Sequence, residues 1–187
     1  MSFEFDHKDY KKRHKIPVAG VIFIIALIVL PFMSWLVTDE GITASSSAKF
    51  CVTCHSMELF ERAHNDDVHG GNNAHGVRAT CAQCHLPHDN SINYLYTKAR
   101  TGIHDLWVEN LGDPDNIDWQ AKRAHREEYV YDSGCITCHA NLEEATKATP
   151  KALIAHKPYF LGQTDDKCVT CHENVGHADL SARLSAN

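Results

Sequence analysis

Residues 51–55 read CVTCH, and the same Cys-x-x-Cys-His pattern returns as CAQCH at 81–85, CITCH at 135–139 and CVTCH at 168–172. These four motifs contain all eight cysteines of the chain. Two thiols one helical turn apart can both bond to one porphyrin, and the histidine that follows is then placed to bind the iron. The sequence therefore predicts four covalently bound haem c groups.

The motifs name the attachment residues directly. The predicted thioether cysteines are Cys51, Cys54, Cys81, Cys84, Cys135, Cys138, Cys168 and Cys171, and the motif histidines are His55, His85, His139 and His172. A zinc site of the Cys-x-x-Cys type would need paired knuckles and gives no reason for a histidine after each second cysteine. A disulfide framework suits an exported chain with an even number of cysteines, but it leaves the four histidines equally unexplained.

An apolar segment precedes the first motif. It runs from Pro17 to Val37 as PVAGVIFIIALIVLPFMSWLV, 21 residues without a charge, and such a length spans a bilayer as a helix. Five basic residues precede it, whereas Asp39 and Glu40 follow it, so the positive-inside rule puts the N-terminus in the cytoplasm. We predict a cytoplasmic N-terminus at 1–15, a transmembrane anchor at 16–38 and a periplasmic tetrahaem domain at 39–187. The protein is thus expected in the cytoplasmic (inner) membrane, with a single pass.

A cleaved signal peptide is the alternative, because small residues from Thr43 to Ala48 follow the apolar segment. The apolar core of a signal peptide is only about 7–15 residues long. The longer segment in this chain favours a retained anchor.

The exported part is small for four haems, at 149 residues or about 37 per haem. Separate folded cores of that size are not feasible, so the porphyrins must form much of the interior. We predict a mainly α fold with little regular structure: one N-terminal transmembrane helix and a compact multihaem c-type cytochrome domain. Closely packed haems are suited to electron transfer.

The first cysteines of consecutive motifs are 30, 54 and 33 residues apart, which weakly indicates two halves of two haems each.

The best helix after the anchor lies in the middle gap, from Ile92 to Leu111, where apolar residues recur at spacings of three and four. Asn90 and Ser91 can cap its start.

The exported part has 13 basic and 21 acidic residues, a formal charge of −8, which excludes nucleic acid as a partner. The acidic residues Asp113, Asp115 and Asp118 indicate a solvated loop.

Ten histidines lie outside the motifs: His7, His14, His64, His69, His75, His88, His104, His125, His156 and His177. Neutral imidazole is a common second axial ligand of haem in electron transfer. Four haems can use at most four of the ten, and the residues alone do not select them.

The most specific segments are FCVTCHSM at 50–57, CAQCHLPHDN at 81–90, TKARTGIHDLW at 97–107, CITCHANL at 135–142 and CVTCHENVGH at 168–177. Together with the anchor they resemble the NapC/NirT/NrfH family of membrane-anchored tetrahaem quinol dehydrogenases. Within it they are most similar to the small subunits of cytochrome c nitrite reductase. The resemblance covers nearly the whole exported part.

The resemblance implies second ligands for three haems. His69 is expected opposite His139, and His177 opposite His85. His156 is expected opposite His172, as in those members of the family that have a histidine at this position. Other members take a lysine from the catalytic partner there, so this ligand stays open.

The first haem is different in the family. There a methionine placed like Met57 binds the iron instead of the motif histidine, and the haem stays high-spin beside the quinol pocket. Whether His55 or Met57 binds in this chain stays open, because both cannot readily bind from one side.

A quinol site is predicted at Lys98 and Asp105. Seven residues apart on one helix, they project from the same face. Quinol oxidation releases two protons, and a carboxylate is a suitable acceptor that a nearby lysine would keep ionised. The resemblance also implies a lysine and an aspartate beside the first haem, although some members have histidine at the aspartate position. The neighbouring His104 could share that role.

We therefore expect a quinol dehydrogenase that takes electrons from membrane menaquinol or ubiquinol and passes them to the catalytic subunit of a periplasmic reductase, with nitrite reductase as the partner that the resemblance implies. Membrane lipid is the other expected contact. One alternative is an electron wire fed by another membrane protein, which predicts no quinol site and a six-coordinate first haem. A terminal reductase is the other, and it needs a buried open iron with acid–base groups.

Overall fold

The computed structural model describes residues 17–186, which divide into two compact units at the junction of Ala44 and Ser45. The predicted cytoplasmic segment 1–15 lies outside these residues, together with His7 and His14. Each unit is described separately below.

The first unit is one long helix, α1 (Val18–Ala44), of 27 residues. At 1.5 Å per residue it is about 40 Å long, more than the roughly 30 Å of a hydrocarbon core. None of its residues is buried in the structure, so apolar side chains point outward on all sides, as in a helix surrounded by lipid. The predicted apolar helix is confirmed. It continues past residue 38 because Thr38 to Ala44 contains no proline, and the limits of the membrane span remain a prediction.

The second unit consists of short helices joined by loops. Within residues 45–186 these are α2 (Ala48–Cys51), α3 (Glu58–Asn65), α4 (Cys81–His85), α5 (Ser91–Leu111), α6 (Trp119–Ala124), α7 (Asp132–Cys138), α8 (Leu142–Thr146), α9 (Pro150–Phe160), α10 (Cys168–Cys171) and α11 (Leu180–Ser185). Single 3₁₀ turns cover His55–Met57, Pro114–Asn116 and Arg126–Glu128. No strand occurs between residues 17 and 186, and the predicted mainly α fold is confirmed.

Side-chain caps fix where several of these helices begin. The Asn90 side chain accepts a hydrogen bond of 2.8 Å from the backbone N–H of Asn93, which starts α5 at the predicted residue. Thr149 caps α9 in the same way, and Pro150 follows it at a position where its missing N–H costs nothing. Local hydrogen bonds thus determine the first residue of these helices, including helices such as α9 that are too short to be stable alone.

The apolar interior formed by side chains is small. Among residues 45–186 the buried apolar side chains are Ala63, Ala82, Leu86, Pro87, Val169 and Leu180. Six side chains, two of them alanines, are few for a unit of this length. This agrees with the prediction that porphyrin forms much of the core.

Helices α4 and α7 pack closely and bring the second and third motifs together. The backbone N–H of Tyr131 donates to the carbonyl of Cys84 at 3.0 Å. A Cβ atom on the buried Gly134 would lie 1.9 Å from the carbonyl oxygen of Gln83. Only glycine permits this approach, because any larger residue would force the two motif helices apart.

Helix α5 is the longest helix of the second unit, and its apolar side faces outward. Ile103 is 70% exposed and Trp107 63% exposed, and Ile92 and Leu106 are exposed as well. The side turned inward includes the buried Thr97 and the half-buried Lys98. The predicted helix is confirmed, and its apolar side is available to a partner or ligand.

Candidate haem and quinol sites

The motif cysteines lie in or beside short helices. One motif histidine beside each cysteine pair is the donor set that a covalent haem requires.

The thiols meet in the pairs that the motif spacing indicated. Cys51 lies next to Cys81. Cys135 lies next to Cys168. The first motif thus adjoins the second, and the third adjoins the fourth.

Three pairs of histidine rings face each other at nearly equal distances. The ring centroids are 6.2 Å apart for His69 and His139, 6.2 Å for His85 and His177, and 6.1 Å for His156 and His172. Two imidazoles that bind one metal from opposite sides, each through a bond of about 2 Å, place their ring centroids about 6 Å apart. The structure therefore brings together all three pairs that the family resemblance implied, at a spacing that fits one iron between the rings.

The other ring nitrogen of four of these histidines is held by an oxygen. His85 Nδ1 donates to the Tyr129 carbonyl at 2.8 Å, and His177 Nδ1 donates to the Phe60 carbonyl at 3.0 Å. His156 Nδ1 donates in the same way to Ala152 at 2.9 Å, and His69 Nδ1 to the Asp67 carboxylate at 3.1 Å. A bond of this kind fixes the tautomer and leaves Nε2 for the metal.

His177 is also kept neutral. Desolvation, reinforced by the neighbouring His85, lowers the pKa of His177 to about 4. A neutral imidazole is the form that binds a metal.

The first motif has no such pair. His55 is directed toward two carboxylates: Nδ1 lies 2.8 Å from Glu109 and Nε2 lies 3.0 Å from Asp115. The Ser56 hydroxyl donates to Glu109 at 2.9 Å. The hydrogen bond with Asp115, together with the charge of Glu109, raises the pKa of the exposed His55. Both ring nitrogens of His55 are therefore engaged, whereas the half-buried Met57 has a thioether that such bonds do not occupy.

Asp113, Asp115 and Asp118 are all exposed, as the prediction of a solvated loop requires, and two of them have further roles. Asp115 is exposed but contacts His55, and Asp118 caps α6 by accepting a hydrogen bond from Ala121 at 2.8 Å. Sequence reasoning missed these roles because nothing in the local pattern of charges shows which distant side chain a loop carboxylate will meet.

Of the two predicted quinol residues on α5, Lys98 is half-buried and Asp105 is exposed. The Lys98 ammonium donates to the Ser46 hydroxyl at 2.8 Å and lies 6.0 Å from the centroid of the Tyr94 ring. Burial lowers the pKa of Lys98. The charges of Lys98 and Asp105 both act on Cys51, in opposite directions. Both residues are therefore close to the first haem attachment site.

Asp105 is exposed, and its Oδ1 lies 3.3 Å from Nδ1 of His104. Among residues 17–186 it forms no ion pair with Lys98, because seven residues of helix separate them by about 10 Å along the axis. The two groups therefore mark the ends of a small region on α5 and do not hold each other directly.

A tetrahaem c-type cytochrome with an apolar N-terminal helix long enough to cross a membrane is the class of protein that this fold and these motifs define. Residues 12–182 match the profile of the NapC/NirT cytochrome c family, N-terminal region, and the chain belongs to that family. It accordingly carries four covalently bound haem c groups.

Several proteins are similar over part of the chain. TorC of Escherichia coli K12, a cytochrome c-type protein, is 32% identical over 131 residues, 64% of this chain and 30% of TorC. The tetrahaem cytochrome CymA of Shewanella oneidensis is 28% identical over 138 residues, 70% of this chain and 73% of CymA. NrfH of Wolinella succinogenes is 32% identical over 101 residues, 52% of this chain and 50% of NrfH. The chain spans about a third of the length of TorC and its TorY relatives.

One solved structure shares the fold. A chain in the crystal structure of the cytochrome c nitrite reductase NrfHA complex, bound to the inhibitor HQNO, matches with a TM-score of 0.55 at 22% identity. The match covers 83% of this chain and 90% of that one.

Proposed function

We propose that this protein is a quinol dehydrogenase that oxidises membrane quinol at its first haem site and delivers the electrons to a periplasmic reductase. One observation carries the proposal. Lys98 and Asp105, a cation and an exposed carboxylate whose charges both act on Cys51, lie on helix α5, which presents a row of exposed apolar side chains. An amphiphilic substrate with a redox-active head and an apolar tail fits this combination.

The residues divide the chemistry of quinol oxidation between them. A quinol that becomes a quinone loses two electrons and two protons. Lys98, held by the Ser46 hydroxyl, donates a hydrogen bond to one quinol oxygen. Asp105 accepts the proton of the other hydroxyl and, being exposed, releases it to water before the second proton leaves by the same route. The four haem groups, when bound, supply one-electron redox chemistry in series.

The three pairs of facing histidine rings support a proposal for the axial ligands of three haems. We propose bis-histidine ligation of three haems by the pairs His69–His139, His85–His177 and His156–His172. The pairing of His156 with His172 at 6.1 Å within the chain supports a fourth haem that needs no ligand from a partner. In this respect the chain would differ from family members that borrow a lysine.

Met57 is the proposed ligand of the first haem, since both ring nitrogens of His55 face carboxylates. X-ray absorption at the iron edge is expected to show one iron–sulfur bond per four irons. Met57→Leu removes the only thioether of the motif region and should abolish that signal, whereas His55→Gln should retain it. An iron–sulfur signal that survives Met57→Leu, or disappears in His55→Gln, would show that the assignment is wrong.

For the location, we propose a single-pass protein of the inner membrane with its haems in the periplasm. The positive charges before α1 and the acidic residues after it support this orientation. A reporter enzyme that is active only outside the cytoplasm, fused after the last residue, should be active. A fusion that is active only with a cytoplasmic reporter would reverse the orientation.

Nitrite reductase is the partner that we propose. The support is the shared fold with a chain of the NrfHA complex and the similarity to NrfH of Wolinella succinogenes. TorC and CymA are similar to a comparable degree, so the reductase that copurifies with the solubilised protein is the deciding observation. Recovery of a nitrite-reducing subunit supports the proposal, and recovery of a different reductase alone contradicts it.

A further inference from the structure

His64, at the end of α3, is a buried histidine that the proposed function does not use. Its side chain is 6% exposed. Nδ1 lies 2.8 Å from the carbonyl oxygen of Gly176, and Nε2 lies 2.9 Å from the carbonyl oxygen of Ala79. Both ring nitrogens of His64 therefore face a hydrogen-bond acceptor of the backbone. His64 consequently has no free nitrogen for an iron and is not itself a ligand.

The two carbonyls belong to opposite sides of the second haem site. Gly176 directly precedes His177, the proposed distal ligand, and Ala79 lies two residues before Cys81, the first attachment cysteine. The backbone strengthens the same link, because Ala178 N–H donates to the carbonyl of Ala63 at 2.9 Å. The end of α3 thus joins the distal-ligand loop to the attachment helix.

His64 also lies next to the ligand ring itself. The centroids of the His64 and His177 rings are 5.9 Å apart. The His64 ring therefore packs directly beside the proposed distal ligand.

We propose that His64 is a positioning residue of the second haem site: its two hydrogen bonds fix the loop of His177 against the segment of Cys81. The inference rests on the proposed pairing of His85 with His177. A distal ligand that is held in place keeps the iron six-coordinate, so the loss of His64 should open one axial position of that haem.

Two variants test the positioning role. His64→Leu removes both hydrogen bonds and leaves two carbonyls unpaired, so His177 should lose its fixed position. After reduction by dithionite, one haem more than in the wild type should bind carbon monoxide, and the midpoint potential of one haem should change. His64→Gln keeps an amide donor at the same place, so carbon monoxide binding should stay at the wild-type level.

His75→Gln is the matched control, since His75 is an exposed histidine in the loop before the second motif. It should leave all four potentials and the carbon monoxide stoichiometry unchanged. Wild-type potentials and stoichiometry in His64→Leu would overturn the proposal. If His64→Leu does not yield protein with four haems, His64→Asn decides, because its shorter amide cannot reach both carbonyls, and a wild-type carbon monoxide stoichiometry there would overturn the proposal.

These readouts do not use quinol, so the failure of quinol oxidation would leave the test of His64 intact. The pairing on which the inference rests has its own test. If His177→Ala leaves the haem spectrum unchanged, the assignment of His177 is wrong, and the inference about His64 fails with it.

Discussion

Replacement of Asp105 by asparagine is expected to slow haem reduction by a quinol analogue by about 100-fold or more. Proton transfer by a positioned side chain contributes roughly 10²–10⁴-fold to a reaction. Asparagine keeps the size and the hydrogen-bonding capacity of the residue but cannot take up the proton. The measurement is the rate of haem reduction after anaerobic mixing with the quinol analogue, compared with reduction by dithionite, which needs no proton acceptor on the protein.

Replacement of Lys98 by methionine tests the other end of the same region. The loss of a charge-assisted hydrogen bond costs about 1.5–3 kcal/mol, which is roughly a 10–100-fold reduction in rate. Both variants should keep four attached haems and normal reduction by dithionite.

The chain offers matched controls for this pair. Asp165→Asn removes an exposed carboxylate far along the chain, and Arg100→Met removes an exposed cation from the same helix as Lys98. Both controls should reduce their haems with quinol at the wild-type rate. If Asp105→Asn and Lys98→Met also react at the wild-type rate, the quinol pocket does not lie on α5.

His177→Ala is expected to convert one of the low-spin haems into a high-spin haem. Alanine has no donor atom, so the iron paired with His85 would keep a single strong axial ligand. Electron paramagnetic resonance should lose one low-spin signal, and the mass of the protein should still include four haems, because the attachment cysteines are unchanged.

His69→Ala and His156→Ala should each affect a different haem in the same way, since each faces its own motif histidine. His75→Ala is the control and should change no signal. Unchanged low-spin signals in any of the three ligand variants would show that the histidine in question does not bind iron. A loss of two signals in one variant would contradict the one-to-one pairing.

The haem attachment could be predicted from the sequence because its chemistry is local. Cys135, Cys138 and His139 lie within five residues, so a linear pattern contains the complete attachment site. Helix α5 could be predicted for a similar reason: its periodicity and the cap at Asn90 are properties of neighbouring residues.

The distal ligands could not be obtained from the residues alone. His69 meets His139 across 70 residues of chain, and no spacing rule links the two. The family resemblance selected the three partners, and the structure brings each of them to its motif histidine.

Two features were predicted neither by the sequence pattern nor by the family resemblance. The carboxylates of Glu109 and Asp115 at His55, and the double hydrogen bond of His64, depend on which loops meet in three dimensions. A histidine near the end of a helix carries no local sign that two distant carbonyls will accept from its ring.

The central claim is that quinol itself reduces this protein, and its most direct test is anaerobic rapid mixing of the wild-type protein in lipid nanodiscs with reduced menaquinone and ubiquinone analogues. Haem absorbance and quinone formation are recorded together. The account predicts reduction by at least one of the two quinols with two haems reduced for each quinol oxidised, and a severe loss of rate in Asp105→Asn. A protein whose four haems accept electrons from dithionite but from neither quinol would contradict the account, and would indicate a wire fed by another membrane protein.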